Sequence, residues 1–141
     1  MSKLKILFMA TRGVRNCNPG NIRLTNGVPF IGQVAKSTDK NFKQFISMTF
    51  GVRALMKVLI TYSRIYNRTT VRSILSHYAP SIENHTDKYI DFVCKYMHTG
   101  PDTVLRLDIK PDLFPLVCAI CKYESNYVPT ESMLIDAFLK L

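Results

Sequence analysis

The segment RGVRNCNPGNIR, residues 12–23, determines how the rest of this chain is interpreted. Pro19 fixes its own φ angle and lacks an amide donor, whereas Gly20 permits a left-handed backbone. Asn18 and Asn21 flank this pair, and asparagine side chains donate and accept hydrogen bonds at the same time. Such a segment forms either an ordinary turn or a rigid polar wall for a ligand rich in hydroxyl and amide groups, such as a sugar. The downstream sequence favours the polar wall.

The composition indicates a basic globular chain. Its 141 residues predict a single domain over 1–141, and 47% of them are hydrophobic, which is enough for one core. Nineteen Lys and Arg residues against ten Asp and Glu residues give a formal charge of +9. This charge predicts a polyanionic partner: nucleic acid, anionic lipid or an acidic cell-wall polymer. No reading helix or alternation of aromatic and basic residues is recognisable, so we do not expect nucleic acid to be that partner.

The four cysteines are predicted to be free thiols in a protein made in a reducing compartment. Cys118 and Cys121 lie one turn apart in an apolar helical pattern, which favours buried hydrophobic side chains over a redox or metal pair. The histidines lack the spacing of metal ligands, and we expect neither a metal nor a cofactor. Residues 1–10 are too short for a signal-peptide core or a membrane span, and we expect them to form a strand or a short helix.

Hydrophobic periodicity predicts an α+β protein that is mostly α. Extended segments at 21–24, 30–34 and 42–46 predict a small, irregular β hairpin region around an Asn26-Gly27 turn. Five helices are expected after it, because apolar residues then recur at spacings of three and four. The expected helix starts are Ser47 or Thr49, Thr70, Thr86, Asp112 and Thr130, and the expected ends include Tyr66, Ala79-Pro80, Gly100-Pro101 and Leu139.

Glu124 is the first candidate for chemistry. It follows the apolar helical stretch 112–123 at the point where polar residues begin, between Tyr123 and Tyr127. A carboxyl group in that position can be partly desolvated, which raises its pKa toward that of a general acid near neutral pH. The alternative is a solvated glutamate at a helix end. Glu83 is either a second carboxylate or an exposed residue in the loop before a helix.

The opening segment closely resembles the RGIRNNNPGNIR signature of small bacteriophage virion and endolysin-type proteins. The likeness covers residues 12–127 and continues in Phe42-x-x-Phe45, in FGVRAL at 50–55, and in Tyr78-Ala79-Pro80 followed by Tyr89. That family looks like a variant of the lysozyme-like superfamily, which cleaves the glycan strands of peptidoglycan. The resemblance therefore implies a lysozyme-like helical lobe beside the small β region.

The same motifs are similar to those of bacterial cell-wall glucosaminidases and lytic transglycosylases. We call residues 12–23 the Asn-rich segment. In those enzymes a Glu-Ser pair ends an apolar helix upstream of the corresponding segment, whereas here Glu124-Ser125 comes near the C-terminus. The resemblance therefore implies a circular permutation, which is physically tolerated where chain termini lie close together at the surface. Cys17 and Phe30 stand where Asn and Trp are common in the related sequences.

The function implied by the resemblance is cleavage of peptidoglycan glycan strands. Glu124 would be the general acid. In a transglycosylase it would also act as the base. In a hydrolase a second group, such as Glu83 or Asp39, would position the water. The expected substrate-binding residues are Asn18, Gly20, Asn21, Tyr78, Tyr89 and Tyr127. We expect a monomer, made in the host cytoplasm without a signal peptide and acting at the anionic cell envelope, from the virion or after late release. The alternative is a non-catalytic virion protein that binds the cell wall.

Overall fold

A computed structural model of the chain describes residues 10–79 and 83–141, with the side chains of residues 83 and 84 outside the described part. The expectation for residues 1–9 therefore lies outside the described residues. The fold is mostly helical, as predicted. The helices are α1 (Arg12–Arg15), α2 (Met48–Tyr66), α3 (Val71–Tyr78), α4 (Glu83–Met97), α5 (Lys110–Ser125) and α6 (Glu131–Leu139).

Three of the predicted helix caps are confirmed. Ser47, Thr70 and Thr130 each accept a hydrogen bond from the backbone amide three residues further on. In each case the side chain satisfies one of the amides that the first helical turn leaves without a partner.

Two predicted helix starts were wrong. Thr86 lies inside α4 and does not cap it. Its hydroxyl donates to the carbonyl of Ala79, the residue that follows α3, at 3.0 Å. Helix α5 begins at Lys110 with a proline in its first turn, a position where the missing amide costs nothing. Helix α1 is a single turn at the start of the segment 12–23, for which no helix was predicted.

Helix α5 occupies the centre of the fold and packs against α1, α2 and α4, while α6 packs on α2 and α3 on α4. It is buried around most of its circumference rather than along one stripe. Its fully buried side chains include Leu113, Leu116, Val117 and Ile120. Cys118 and Cys121 are also buried on this helix, and all four cysteines are free thiols, as predicted. The C-terminal end of this central helix carries Glu124.

The predicted Asn26-Gly27 hairpin does not form. Extended pairing among the described residues is limited to two isolated antiparallel bridges, Arg23 with Phe42 and Gln33 with Phe45. The segment 42–46 therefore lies between 22–24 and 32–34, and those two segments do not pair with each other. The Asn-Gly signal was misleading because it reports only local turn preference, whereas these partners are chosen by contacts across the fold.

Candidate active-site cleft

The Asn-rich segment packs directly on the C-terminal end of α5. The Ser125 hydroxyl donates to the carbonyl of Pro19 at 2.8 Å, and the Thr11 hydroxyl donates to the carbonyl of Ser125 at 2.7 Å. The side-chain amide of Asn21 donates to both the backbone carbonyl and the Oε1 atom of Glu124, each at 3.2 Å. These hydrogen bonds join two parts of the chain more than a hundred residues apart. They fix the position of Glu124 relative to the Pro-Gly turn.

Asn18 holds this segment together from the inside. Its side chain is fully buried, and its amide donates to the carbonyls of Ile22 and Lys43 at 2.9 and 3.0 Å. Its Oδ1 atom accepts from the backbone amide of Ile22 at 2.9 Å. We expected Asn18 to bind sugar, but all of these contacts are internal and its side chain does not line the cleft described below. Its role in the fold is to satisfy backbone groups that would otherwise be buried without partners.

Gly20 is required for a different reason from the one the sequence suggested. The left-handed residues of the segment are Cys17 and Asn21, both with φ of 51°, and not Gly20. The Tyr78 hydroxyl donates to the carbonyl of Gly20, and a Cβ atom at Gly20 would lie 2.7 Å from that hydroxyl oxygen. Gly20 therefore allows Tyr78, which lines the cleft described below, to approach the backbone closely.

A cleft of about 470 Å³ opens between the Asn-rich segment, the end of α3, the start of α4 and the end of α5. It brings together four residues predicted for the site: Glu124, Asn21, Tyr78 and Tyr89. The remaining lining residues are Arg23, Phe42, Ala79, His85, Thr86, Lys88 and Tyr123.

Glu124 is half-buried in this cleft. Burial is the largest influence on its carboxyl and raises its pKa above the ordinary value for glutamate. The hydrogen bond from Asn21, the nearby Tyr89 hydroxyl and the positive charge of Arg23 act in the opposite direction and moderate the increase. The result is a carboxyl group that holds its proton to higher pH than a solvated one, which is the property of a general acid.

Tyr89 supports both Glu124 and the aromatic wall of the cleft. It is 2% exposed, and its ring stacks on Tyr123 with centroids 3.9 Å apart and an interplanar angle of 20°. Burial, followed by the nearby Glu124 carboxyl, raises the Tyr89 pKa well above its usual value, so its hydroxyl remains protonated. That hydroxyl makes no hydrogen bond within the described part of the chain, although it lies close enough to affect Glu124. It is therefore a buried, protonated hydroxyl close to Glu124.

The other predicted site residues do not line the cleft or are not described. Tyr127 donates its hydroxyl to the sulfur of Met133 at 3.4 Å and lies outside the cleft. The Glu83 side chain lies outside the described residues. Asp39 receives two hydrogen bonds of 2.7 Å from Arg12, which hold the pKa of its carboxyl well below the usual range. It is therefore engaged as a structural anion outside the cleft.

Sequence reasoning missed several lining residues, of which Phe42, Arg23 and Lys88 are the most informative. Phe42 could have been identified from the Phe-x-x-Phe motif, but nothing in the sequence shows which side chains lie against its ring. Its ring lies beneath two guanidinium groups, with the Cζ atoms of Arg12 and Arg23 at 4.7 and 5.2 Å from the centroid. Lys88 is an exposed charge on α4, a pattern that usually indicates only a solvated helix face.

The raised pKa of Glu124 leads to a prediction about stability. Because its pKa is higher in the folded chain than in the unfolded chain, the unfolded chain binds fewer protons between the two values, and the free energy of unfolding falls as pH rises. Glu124→Gln removes this titration. We expect the Tm of the variant, relative to the parent chain, to increase from about pH 3 to about pH 8, as measured by thermal unfolding. A Tm difference that does not change with pH would contradict the assignment.

Two further structural properties concern cofactors and membranes. Residues 10–79 and 83–141 contain no group of three or more His, Cys, Asp or Glu side chains placed to hold a metal ion. Over the same ranges, no helix combines the length and apolar character needed to cross a lipid bilayer.

Comparison with known proteins links the chain to a bacteriophage. It is 36% identical to Protein P5 of Pseudoalteromonas phage PM2 over 86 residues, which cover 60% of this chain and 54% of that protein. The matched region thus spans about half the length of the relative. No protein-family model matches the chain. The phage connection expected from the opening segment is supported by this homologue.

Proposed function

We propose that the protein cleaves the glycan strands of peptidoglycan, with Glu124 as the general acid. The observation that carries this proposal is the position of Glu124: a half-buried carboxyl with a raised pKa, at the wall of a cleft of about 470 Å³. Glycosidic bonds are broken by a protonated carboxylic acid that donates to the leaving oxygen as positive charge develops on the sugar. Because its pKa is raised, Glu124 keeps its proton to higher pH than a solvated glutamate does, which favours its use as the proton donor.

The cleft walls suit a sugar ring. Tyr123 is 40% exposed at the cleft, with Tyr89 stacked against it, and Phe42 lies on another part of the lining. Aromatic rings provide flat apolar surface for the faces of sugars. The Asn21 side chain is already used within the protein, because its amide nitrogen donates to two oxygen atoms of Glu124 and its Oδ1 atom is buried. We therefore assign Phe42 and Tyr123 to substrate binding, and we assign Asn21, which was expected to bind substrate, to positioning Glu124 together with Tyr89.

We also infer a lysozyme-like arrangement in circularly permuted order. What supports this inference is the junction in which Ser125 binds Pro19 and Glu124 binds Asn21, so that the end of the catalytic helix meets the segment that would follow it in the unpermuted enzymes. The positive charge of +9 suits attraction to an anionic cell envelope. Action at the host cell wall, from the virion or after late release, follows from the same proposal.

The test is digestion of purified sacculi followed by mass spectrometry of the soluble fragments. We expect soluble disaccharide-containing fragments, because cleavage of the glycan releases them. Fragments with an anhydro ring, lighter by one water than reducing sugars, would identify Glu124 as both acid and base. Reducing ends would indicate a hydrolase with a second group to position water. Intact glycan strands with bound protein would instead support the non-catalytic wall-binding alternative and overturn the proposal.

A further inference from the structure

Cationic side chains outnumber acids in the described lining of the cleft. Arg23 on the Asn-rich segment and Lys88 on α4 both line it, and Glu124 is the only carboxyl group among the described lining side chains. In its protonated form Glu124 carries no charge. When Glu124 carries its proton, the described lining of the cleft is therefore positively charged, which binding of a neutral sugar to the aromatic wall does not require.

Neither cation is neutralised within the described part of the protein. The ion pairs there join Arg12 to Asp39, Arg72 to Asp102 and Lys140 to Asp136. Asp39 is paired with Arg12 through two hydrogen bonds and makes no ion pair with Arg23. Both Arg23 and Lys88 are exposed, so they can reach a ligand.

Arg23 is also held in place. Its guanidinium group lies over the Phe42 ring, with Cζ 5.2 Å from the centroid, so the fork of donors at its end is oriented before a ligand arrives. A planar guanidinium binds a carboxylate through two parallel hydrogen bonds, while a lysine ammonium adds a more adaptable point charge. This combination suits a carboxylate more than a hydroxyl group.

We propose that Arg23 and Lys88 form an anion subsite that recognises a carboxylate on the glycan strand beside the bond to be cleaved. This inference rests on the proposed function and narrows its substrate to acidic strands. Two sources of the carboxylate share this chemistry: the free lactyl group of muramic acid in strands without peptides, and the carboxylates of the stem peptides. Neutral chitin oligosaccharides have the same linkage and acetamido groups but no carboxylate.

The test measures equilibrium binding in a Glu124→Gln background, so that substrate is not consumed. The ligands are neutral chitin oligosaccharides, peptide-free murein strands and peptide-bearing strands, all at one ionic strength. Arg23→Gln and Lys88→Gln are expected to weaken binding to a carboxylate-bearing strand about tenfold and to leave chitin binding within about twofold. Weaker binding to peptide-free strands would identify the lactyl group as the carboxylate that is recognised. Weaker binding to peptide-bearing strands alone would identify the stem peptide.

Matched controls separate a subsite from general electrostatic attraction. Arg64→Gln on α2 and Lys95→Gln on α4 each remove one exposed positive charge outside the cleft and should leave binding of every ligand unchanged. Equal losses in these controls, or equal losses on chitin and murein strands, would overturn the subsite. If Glu124→Gln itself still digests sacculi, the proposed catalytic role fails, whereas the binding comparison still tests Arg23 and Lys88 separately.

Discussion

Replacing Glu124 with Gln is expected to slow the clearing of sacculi by at least about 100-fold, because general acid catalysis contributes about 10² to 10⁴ in rate. In the parent chain Asn21 donates to Glu124 Oε1 at 3.2 Å. Gln has nearly the same shape as Glu, so its side-chain oxygen can accept the same hydrogen bond. It cannot donate a proton to the glycosidic oxygen. The measurement is the initial rate of turbidity loss in purified sacculi, with thermal unfolding as a check that the variant is folded.

The matched control is Glu131→Gln. Glu131 is an exposed residue at the start of α6 and does not line the cleft, so the clearing rate should stay within about twofold of the parent chain. A Glu124→Gln variant that is folded and clears sacculi as fast as this control would end the enzymatic interpretation. The protein would then be better explained as a wall-binding virion component.

The helical part of the fold was accessible from the sequence because its rules are local. Ser47, Thr70 and Thr130 were identified as caps because a side-chain oxygen beside a helix start satisfies a nearby amide, whatever the rest of the chain does. The same rule gave the wrong result at Thr86, because its hydroxyl donates to the Ala79 carbonyl at the end of the preceding helix. That choice depends on how α3 and α4 approach each other, which the sequence does not reveal locally.

The site was predicted in part for a similar reason. The change from apolar to polar residues marked Glu124 as a carboxyl at the edge of the core. No comparable signal separated Asn18 from Asn21, although the first is fully buried and the second lines the cleft. Residue type fixes what an asparagine can bind, but the direction of its side chain depends on neighbours such as Lys43, which is distant in sequence. Lys88 was missed because a helix charge becomes part of a site only through tertiary placement.

Gly13→Ala should destabilise the protein by about 1 to 3 kcal/mol and also lower its activity, because it inserts a methyl group where the Asn-rich segment meets α5. A Cβ atom at Gly13 would lie 1.9 Å from the Ser125 hydroxyl oxygen and 2.9 Å from Asn21 Oδ1. Relieving that overlap moves the Ser125 hydroxyl away from Pro19 or shifts the backbone near Asn18, whose carbonyl oxygen would lie 2.9 Å from the new Cβ atom. Either change disturbs the junction that holds Glu124 beside the Asn21 amide. Chemical denaturation gives the stability, and the sacculus assay gives the activity.

Two comparisons make this prediction specific. Gly27→Ala changes an exposed glycine whose new Cβ atom would have its nearest neighbour at 3.9 Å, so we expect its stability to change by less than about 0.5 kcal/mol. Ser125→Ala removes the hydroxyl with which the new Cβ atom at residue 13 would overlap. It also removes the hydrogen bond from that hydroxyl to the Pro19 carbonyl. The double variant should therefore lose less stability than the sum of the two single variants, since the same contact is removed twice. Strictly additive losses would mean that Gly13 does not act through Ser125, and that the junction holding Glu124 depends on other contacts.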